Sequence, residues 1–210
     1  MNVEQAYNQW ALQYDTNLNK TRDLEAMAIR EMLAGMPYAK VLEIGCGTGK
    51  NTAFLLEKAT FILALDLSLE MLAQARQKVN AENVVFKQAD ITGPWHFSGN
   101  DFDLATFSLV LEHIEDIDHV FRELSLKIKA GGFVYVGELH PFKQYNGSKA
   151  RFETEEGLKV VTCFTHHISD FTHAATNNGF EIARINEYFD STEEPKFPRI
   201  LSMIFRKSSL

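Results

Sequence analysis

The chain has 210 residues, 45% of them apolar, and 21 Lys and Arg against 28 Asp and Glu leave a net charge of −7. That length supplies one domain with a sizeable core, the two cysteines exclude a disulfide scaffold, and the acidic balance disfavours a nucleic-acid partner. No apolar run approaches the ~18 residues of a membrane span, and the start Met1-Asn2-Val3-Glu4-Gln5 is too polar for a secretion signal, so a cytoplasmic location is expected.

Asp23 is expected to cap a first helix carrying Leu24, Ala28 and Met32 on one face and ended by Gly35 and Pro37. Short apolar runs then alternate with helical stretches. Strands are expected at 41–44, 61–65, 84–86, 102–110 and 133–136, several apolar on both faces, as in a parallel sheet. Helices are expected at 48–58, at 68–79 with Ser68 as cap, and at 117–129 before Gly131-Gly132. After Glu138 a polar segment dotted with aromatics runs to His167, with Glu153, Glu155 and Glu156 as a solvated turn. Ser169 then caps a helix closed by Asn177-Asn178-Gly179, and strands at 181–188 and 200–206 end in a hairpin return at the sheet edge.

The strongest signal is Val41-Leu42-Glu43-Ile44-Gly45-Cys46-Gly47-Thr48-Gly49, a buried strand running into a glycine turn and a helix. Glycines let backbone approach a ligand closely, and a helix start offers unpaired N–H donors. A dinucleotide fingerprint needs Gly or Ala where Lys50 stands, and no Gly-Lys-Ser/Thr closes a phosphate loop, so nicotinamide-dependent oxidoreduction is disfavoured. Asp66 ends the second strand, where a carboxylate can accept from both ribose hydroxyls, and Asp90 ends the third, where it can accept from an adenine amine. Gly-loop amides, Asp66 and Asp90 thus match the tail, sugar and base of an adenosine-containing molecule. Cys46 reads as a loop filler, and Met27, Met32, Met36 and Met71 read as core.

These residues resemble the cofactor motifs of class I S-adenosylmethionine-dependent methyltransferases. The stretch from Phe102 to Ile114, Lys129-Ala130-Gly131-Gly132, and Tyr7 to Asp15 are similar to the small-molecule branch, which includes ubiquinone and menaquinone biosynthesis enzymes. The resemblance implies an α/β, single-domain, Rossmann-like, doubly wound, mostly parallel seven-stranded sheet with an antiparallel last strand. It also implies a layout of helical lid (1–36), cofactor-binding core (37–139), substrate-side insertion (140–168), and C-terminal helix with edge strands (169–210). By the same resemblance Glu43 orders the loop of Gly45, Cys46, Gly47 and Gly49 and holds the methionine amino group. Asp66 meets ribose, Asp90 and Ile91 meet adenine, Leu67 and Met71 pack beside it, and backbone at Phe107 and Ser108 lines the methionine arm. Tyr14 is the lid candidate.

The expected cofactor is S-adenosylmethionine, and the expected reaction is direct in-line transfer of its methyl group to a small-molecule acceptor. A general base helps where the acceptor must lose a proton. His113, His140, His166 and His167 are the candidates, with His140 preferred because Glu138-Leu139-His140-Pro141 leaves the sheet at its carboxyl edge. Phe142, Tyr145, Phe152, Phe164, Phe171 and Phe197 are available to line an acceptor pocket. Adjacent His166 and His167 point apart on an extended chain, and no zinc spacing occurs, so no metal is expected. The alternatives are a protein or nucleic-acid methyltransferase on the same fold, disfavoured because Ser108-Leu109-Val110 replaces an Asn/Asp-Pro-Pro turn, and a non-catalytic cofactor-binding module. The oligomeric state and the acceptor are left open.

Overall fold

The computed structural model describes residues 2–16, 18–154, 157–190 and 196–209. In chain order the elements are α1 (Val3–Trp10), α2 (Lys20–Met32), β1 (Lys40–Ile44), α3 (Lys50–Leu55), β2 (Phe61–Asp66), α4 (Leu69–Lys78), β3 (Val84–Gln88) and β4 (Phe102–Ser108). After β4 come a 3₁₀ turn (Leu111–His113), α5 (Ile117–Ser125), β5 (Ile128–Leu139), α6 (Pro141–Tyr145), β6 (Arg151–Thr154), β7 (Gly157–Val160), α7 (Ile168–Asn177), β8 (Phe180–Phe189) and β9 (Pro198–Lys207).

Seven strands form one sheet in the order β3-β2-β1-β4-β5-β9-β8. β1 to β5 pair in parallel, and β9 runs antiparallel to both neighbours, as the Rossmann-like reading expects. Apolar side chains on both faces of the inner strands dictate this burial, because alternate residues point to opposite sides. Leu42, Ile44, Leu63, Leu65 and Phe107 pack with Val120 and Phe121 of α5 and Phe171 of α7. Val41, Ile62, Ala64 and Leu104 pack on the other side with Ile29 and Met32 of α2.

Several boundaries differ from the sequence reading for local reasons. Asn19, not Asp23, caps α2, its side-chain oxygen accepting from Thr21 N and Arg22 N at 3.0 and 3.1 Å. Ser68 caps α4 as expected, accepting from Met71 N at 3.1 Å. At α7 the cap position falls on His167, not Ser169, and the Asp170 carboxylate reaches back to its N–H at 2.8 Å. The segment read as irregular holds α6, with Pro141 at its first position, and a hairpin of β6 and β7 that pairs only with itself. Two isolated strands carry little sequence signal, and their stability comes from packing: Phe152 of β6 stacks on Trp10 of α1 at 5.1 Å between ring centroids. Glu153 lies in β6, while Glu155 and Glu156 of the expected turn lie outside the described residues.

Candidate active site

A cavity of about 550 Å³ opens at the carboxyl edge of the sheet, where β1, β2, β3 and β4 end. Its floor is the glycine turn. Gly45 has φ of +70°, and a Cβ there would meet Val110 Cγ2 at 2.2 Å, so only glycine fits. Gly47 has φ of +53° and open space where a Cβ would stand, leaving room for a ligand beside it. Gly49 starts α3 and is pressed against Ala75 and Val79, which makes it a packing glycine outside the cavity lining.

Asp66 organises this floor. Its Oδ2 accepts from Gly47 N at 2.8 Å and its Oδ1 from Ser68 N at 2.9 Å, which leaves lone pairs for further donors. Burial raises its carboxyl above the usual range. Asp90 also lines the cavity, with one oxygen closing a turn onto Thr92 N and Thr92 Oγ1 at 2.9 and 2.7 Å. Leu67, Met71, Ile91, Ser108 and Tyr14 line the same space.

A side chamber of about 60 Å³ shares Tyr14, Gly45, Gly47, Ser108 and Leu109 with the main cavity and adds Glu43, Cys46, Arg22, Glu25, Lys50 and Asn51. Burial pushes the Glu43 carboxyl up to about 8, helped by Asp66 and Glu25 and opposed by Thr52, whose hydroxyl donates to Glu43 at 2.6 Å. Burial also pushes the Cys46 thiol well up, so it is not a ready nucleophile. Phe107, expected to line the methionine arm, lines neither chamber: its ring is fully buried in the core, and Ser108 beside it is the residue that reaches both.

Of the four histidines, the structure brings only His113 to the cavity. Its Nδ1 donates to Thr162 O at 2.8 Å, which leaves Nε2 with a lone pair that accepts from the Tyr7 hydroxyl at 2.8 Å. His140 stands behind the site: Nδ1 accepts from Phe142 N at 3.1 Å to cap α6, and Nε2 donates to Glu187 of β8 at 2.9 Å. His166 donates to Ile114 O at 2.7 Å and packs edge-on to Phe171. His167 contacts the Tyr145 hydroxyl at 2.6 Å. Each of these three is held by local structure, a constraint that linear position does not reveal. Of the aromatics, Phe164 reaches the cavity, Phe142 and Phe197 stack on each other, and Phe152 lies under Trp10.

Sequence reading missed Tyr7, Glu25, Asn51 and Glu138. Glu138, buried at the end of β5, accepts from Val110 N and Leu111 N at 2.9 and 2.8 Å and from Glu112 N at 3.4 Å, and so fixes the turn behind His113. Burial, with Glu112 nearby, pushes it up to about 8 against those amides. An acid inside an apolar strand was its only signal. In the same turn Leu109 takes φ of +59°, a strained conformation at the cavity wall.

The cover comes from the N-terminal segment and from Thr162 and Phe164. α1 brings Val3 and Tyr7 to the cavity, and Asn8 accepts from Ser68 Oγ at 2.6 Å. Asp15 accepts from Thr48 Oγ1 at 2.9 Å, tying the link after α1 to the glycine turn. Among the described residues no helix is long and apolar enough to cross a membrane, and no metal-binding group of three His, Cys, Asp or Glu occurs.

A bare glycine turn, a carboxylate at the end of β2 and another at the end of β3, all on one carboxyl edge, define a nucleoside-binding Rossmann-like enzyme domain. Residues 42–136 match the family described as "Methyltransferase domain". The chain is 27% identical over 220 residues to an uncharacterized methyltransferase of Emericella nidulans, covering 87% of this chain and 77% of that one. It is 33% identical over 132 residues to a malonyl-[acyl-carrier protein] O-methyltransferase of Salmonella typhimurium, covering 63% of this chain and about half (51%) of that protein. An S-adenosylmethionine-dependent methyltransferase structure from Mesorhizobium loti shares the fold, with a TM-score of 0.74 at 24% identity over 89% of this chain and 100% of that one. Residues 42–136 thus carry a match to a methyltransferase domain, and the chain is similar in fold to S-adenosylmethionine-dependent methyltransferases.

The site suits that cofactor on its own terms. Free space beside Gly47 leaves room for a ligand, Asp66 keeps free lone pairs, and the Asn51 side-chain oxygen is buried without a partner in the side chamber.

Proposed function

We propose that this chain methylates a small-molecule acceptor by in-line displacement within the cavity, with Tyr7 and His113 taking up the acceptor's proton. The observation that carries the reading is the cavity itself. Its about 550 Å³ extends from the glycine turn and Asp66 to a second region walled by Val110, His113, Ile114, Thr162 and Phe164, under α1. Its volume and cover suit a compact molecule beside the cofactor, and the names of relatives such as trans-aconitate 2-methyltransferase and ubiquinone biosynthesis O-methyltransferase agree with a small-molecule acceptor.

When bound, S-adenosylmethionine supplies an activated methyl on a sulfonium sulfur. The chain's own task is then placement and exclusion of water. Gly47 backbone, Asp66 and Asp90 hold the nucleoside, with Leu67, Met71 and Ile91 beside the base. Positioning of this kind contributes on the order of 7–11 kcal/mol. Tyr7 and His113 both line the cavity, and the Tyr7 hydroxyl donates to His113 Nε2 at 2.8 Å. A hydroxyl acceptor can therefore give its proton to Tyr7 while the tyrosine proton moves to His113. Burial raises the Tyr7 phenol well above its ordinary value, so the two transfers go together and no free phenolate forms. Such base assistance is worth roughly 10²–10⁴-fold.

The test is formation of S-adenosylhomocysteine from S-adenosylmethionine in the presence of a metabolite library. Release dependent on one small molecule, weakened in Tyr7→Phe, supports the reading. Turnover only with protein or nucleic acid would overturn it.

A further inference from the structure

We infer that Glu25 of the lid helix α2 and Asn51 of α3, beside Glu43, form the acceptor set for a primary ammonium, so that the lid itself is a wall of the cofactor's amino-acid subsite. The inference rests on the cofactor reading above and adds two residues to it.

The geometry starts from a polar network that is unusually deep for a lid helix. Glu25 is only 3% exposed, although it lies on the helix that covers the sheet. Its Oε1 accepts from the Tyr135 hydroxyl of β5 at 3.0 Å, and Tyr135 in turn contacts Ser202 Oγ of β9 at 3.3 Å. Its Oε2 accepts from Asn51 Nδ2 at 3.3 Å, and the same amide nitrogen donates to Ser108 Oγ at 3.1 Å. With both amide hydrogens turned to Glu25 and Ser108, the Asn51 oxygen is left buried with no donor. A buried acceptor without a donor costs about 1–3 kcal/mol, so its persistence calls for a ligand that donates there.

Glu25, Asn51 and Glu43 line one chamber with Gly45, Ser108 and Leu109. Three acceptors thus meet in a small space: two carboxylates and one amide oxygen. The Tyr135 and Thr52 hydroxyls already satisfy one site on each acid, which fixes their orientation and leaves other lone pairs free. A primary ammonium has three N–H donors and a positive charge, which is the complement of this set. The same chamber also includes Arg22 and Lys50, so charges of both signs are present, as a zwitterionic amino-acid end requires. Lys50 also pairs with Asp23 at 3.2 Å near the surface. Burial raises Glu25 and Glu43 above their usual range, which is the state of two acids awaiting a cation.

This placement gives the lid a reason to close. Glu25 can meet the ammonium only with α2 docked on β5, so cofactor capture and lid docking reinforce each other.

Calorimetric titration of the whole chain with three ligands tests the inference. S-adenosylhomocysteine carries ammonium and carboxylate, 5′-deoxy-5′-(3-aminopropylthio)adenosine carries the ammonium alone, and 5′-methylthioadenosine carries neither. The expected result is that Glu25→Gln, which keeps an acceptor for Tyr135, weakens the first two by about tenfold and leaves the third unchanged. Asn51→Leu, a second variant, is expected to show the same selectivity. Equal loss for all three ligands would mean a purely structural role, and no loss for the first two would remove both residues from the subsite; either overturns the inference. In the wild type, failure of the aminopropyl compound to bind more tightly than 5′-methylthioadenosine would overturn it as well. If none of the three ligands binds, the cofactor reading itself fails.

Discussion

Acidification should weaken binding of the cofactor's amino-acid end far more than binding of its nucleoside. Glu43 is the sensitive group, pushed up to about 8 by burial, with Asp66 of β2 and Glu25 of α2 adding repulsion and the Thr52 hydroxyl opposing. Lys50 acts on Glu25 in the opposite sense. With that value, about one quarter of Glu43 is ionised at pH 7.5 and about one hundredth at pH 6.0. If the ammonium is bound by ionised Glu43, affinity falls about 25-fold over this interval. The ligand's own amino group, with an ordinary value of ~8, gains protons over the same range and softens the fall to about 19-fold. Asp66 titrates with the nucleoside, so its effect is removed by taking the ratio of S-adenosylhomocysteine to 5′-methylthioadenosine affinity at each pH. Calorimetry at pH 6.0 and 7.5 gives that ratio directly. A ratio unchanged between the two pH values would refute the claim that Glu43 ionises against the ligand, and Glu43→Gln should flatten the dependence at a lower affinity.

The same group sets a stability trend in the ligand-free protein. Its folded value lies above the ordinary carboxylate value, so its contribution is complete below about pH 4.5 and is lost as pH rises through about 8. Glu43→Gln should therefore melt closer to wild type at pH 5 and above it at pH 8 by scanning calorimetry; parallel curves would contradict this. Gly45→Ala combines φ of +70° with a 2.2 Å clash on Val110 and should lower the urea midpoint, at a cost of roughly 1–3 kcal/mol or more. His140→Ala should lower the melting temperature by breaking the α6 cap and the Glu187 contact while leaving kcat intact, whereas His113→Gln should lower kcat by roughly 10²-fold or more through loss of base assistance. Phe152→Ala removes the ring stacked on Trp10 and should loosen α1, read as faster proteolysis of the N-terminal segment that S-adenosylhomocysteine slows.

The glycine turn, Asp66 and Asp90 were legible in the sequence because their chemistry is local: each sits at the end of a strand whose apolar run announces it. The parallel sheet was legible for the same reason, as was Ser68 at the start of α4. Helix starts were read less well where two polar residues competed, as with Asn19 and Asp23, since only backbone geometry decides which side chain reaches the free N–H groups. The histidines show the limit more sharply. His140 leaves β5 at the correct edge, yet Phe142 N and Glu187 hold its ring behind the site. His113 becomes the cavity histidine because Thr162 and Tyr7, 49 and 106 residues away, take its two nitrogens.

Sequence alone therefore determined the strand–turn–helix unit and the type of ligand it cradles, since periodicity and backbone freedom are properties of neighbouring residues. Tertiary structure alone decided which acids and histidines line the cavity. Glu25 meets Asn51 and Tyr135 only when α2 docks on the sheet, and such contacts depend on packing between segments that are far apart in the chain.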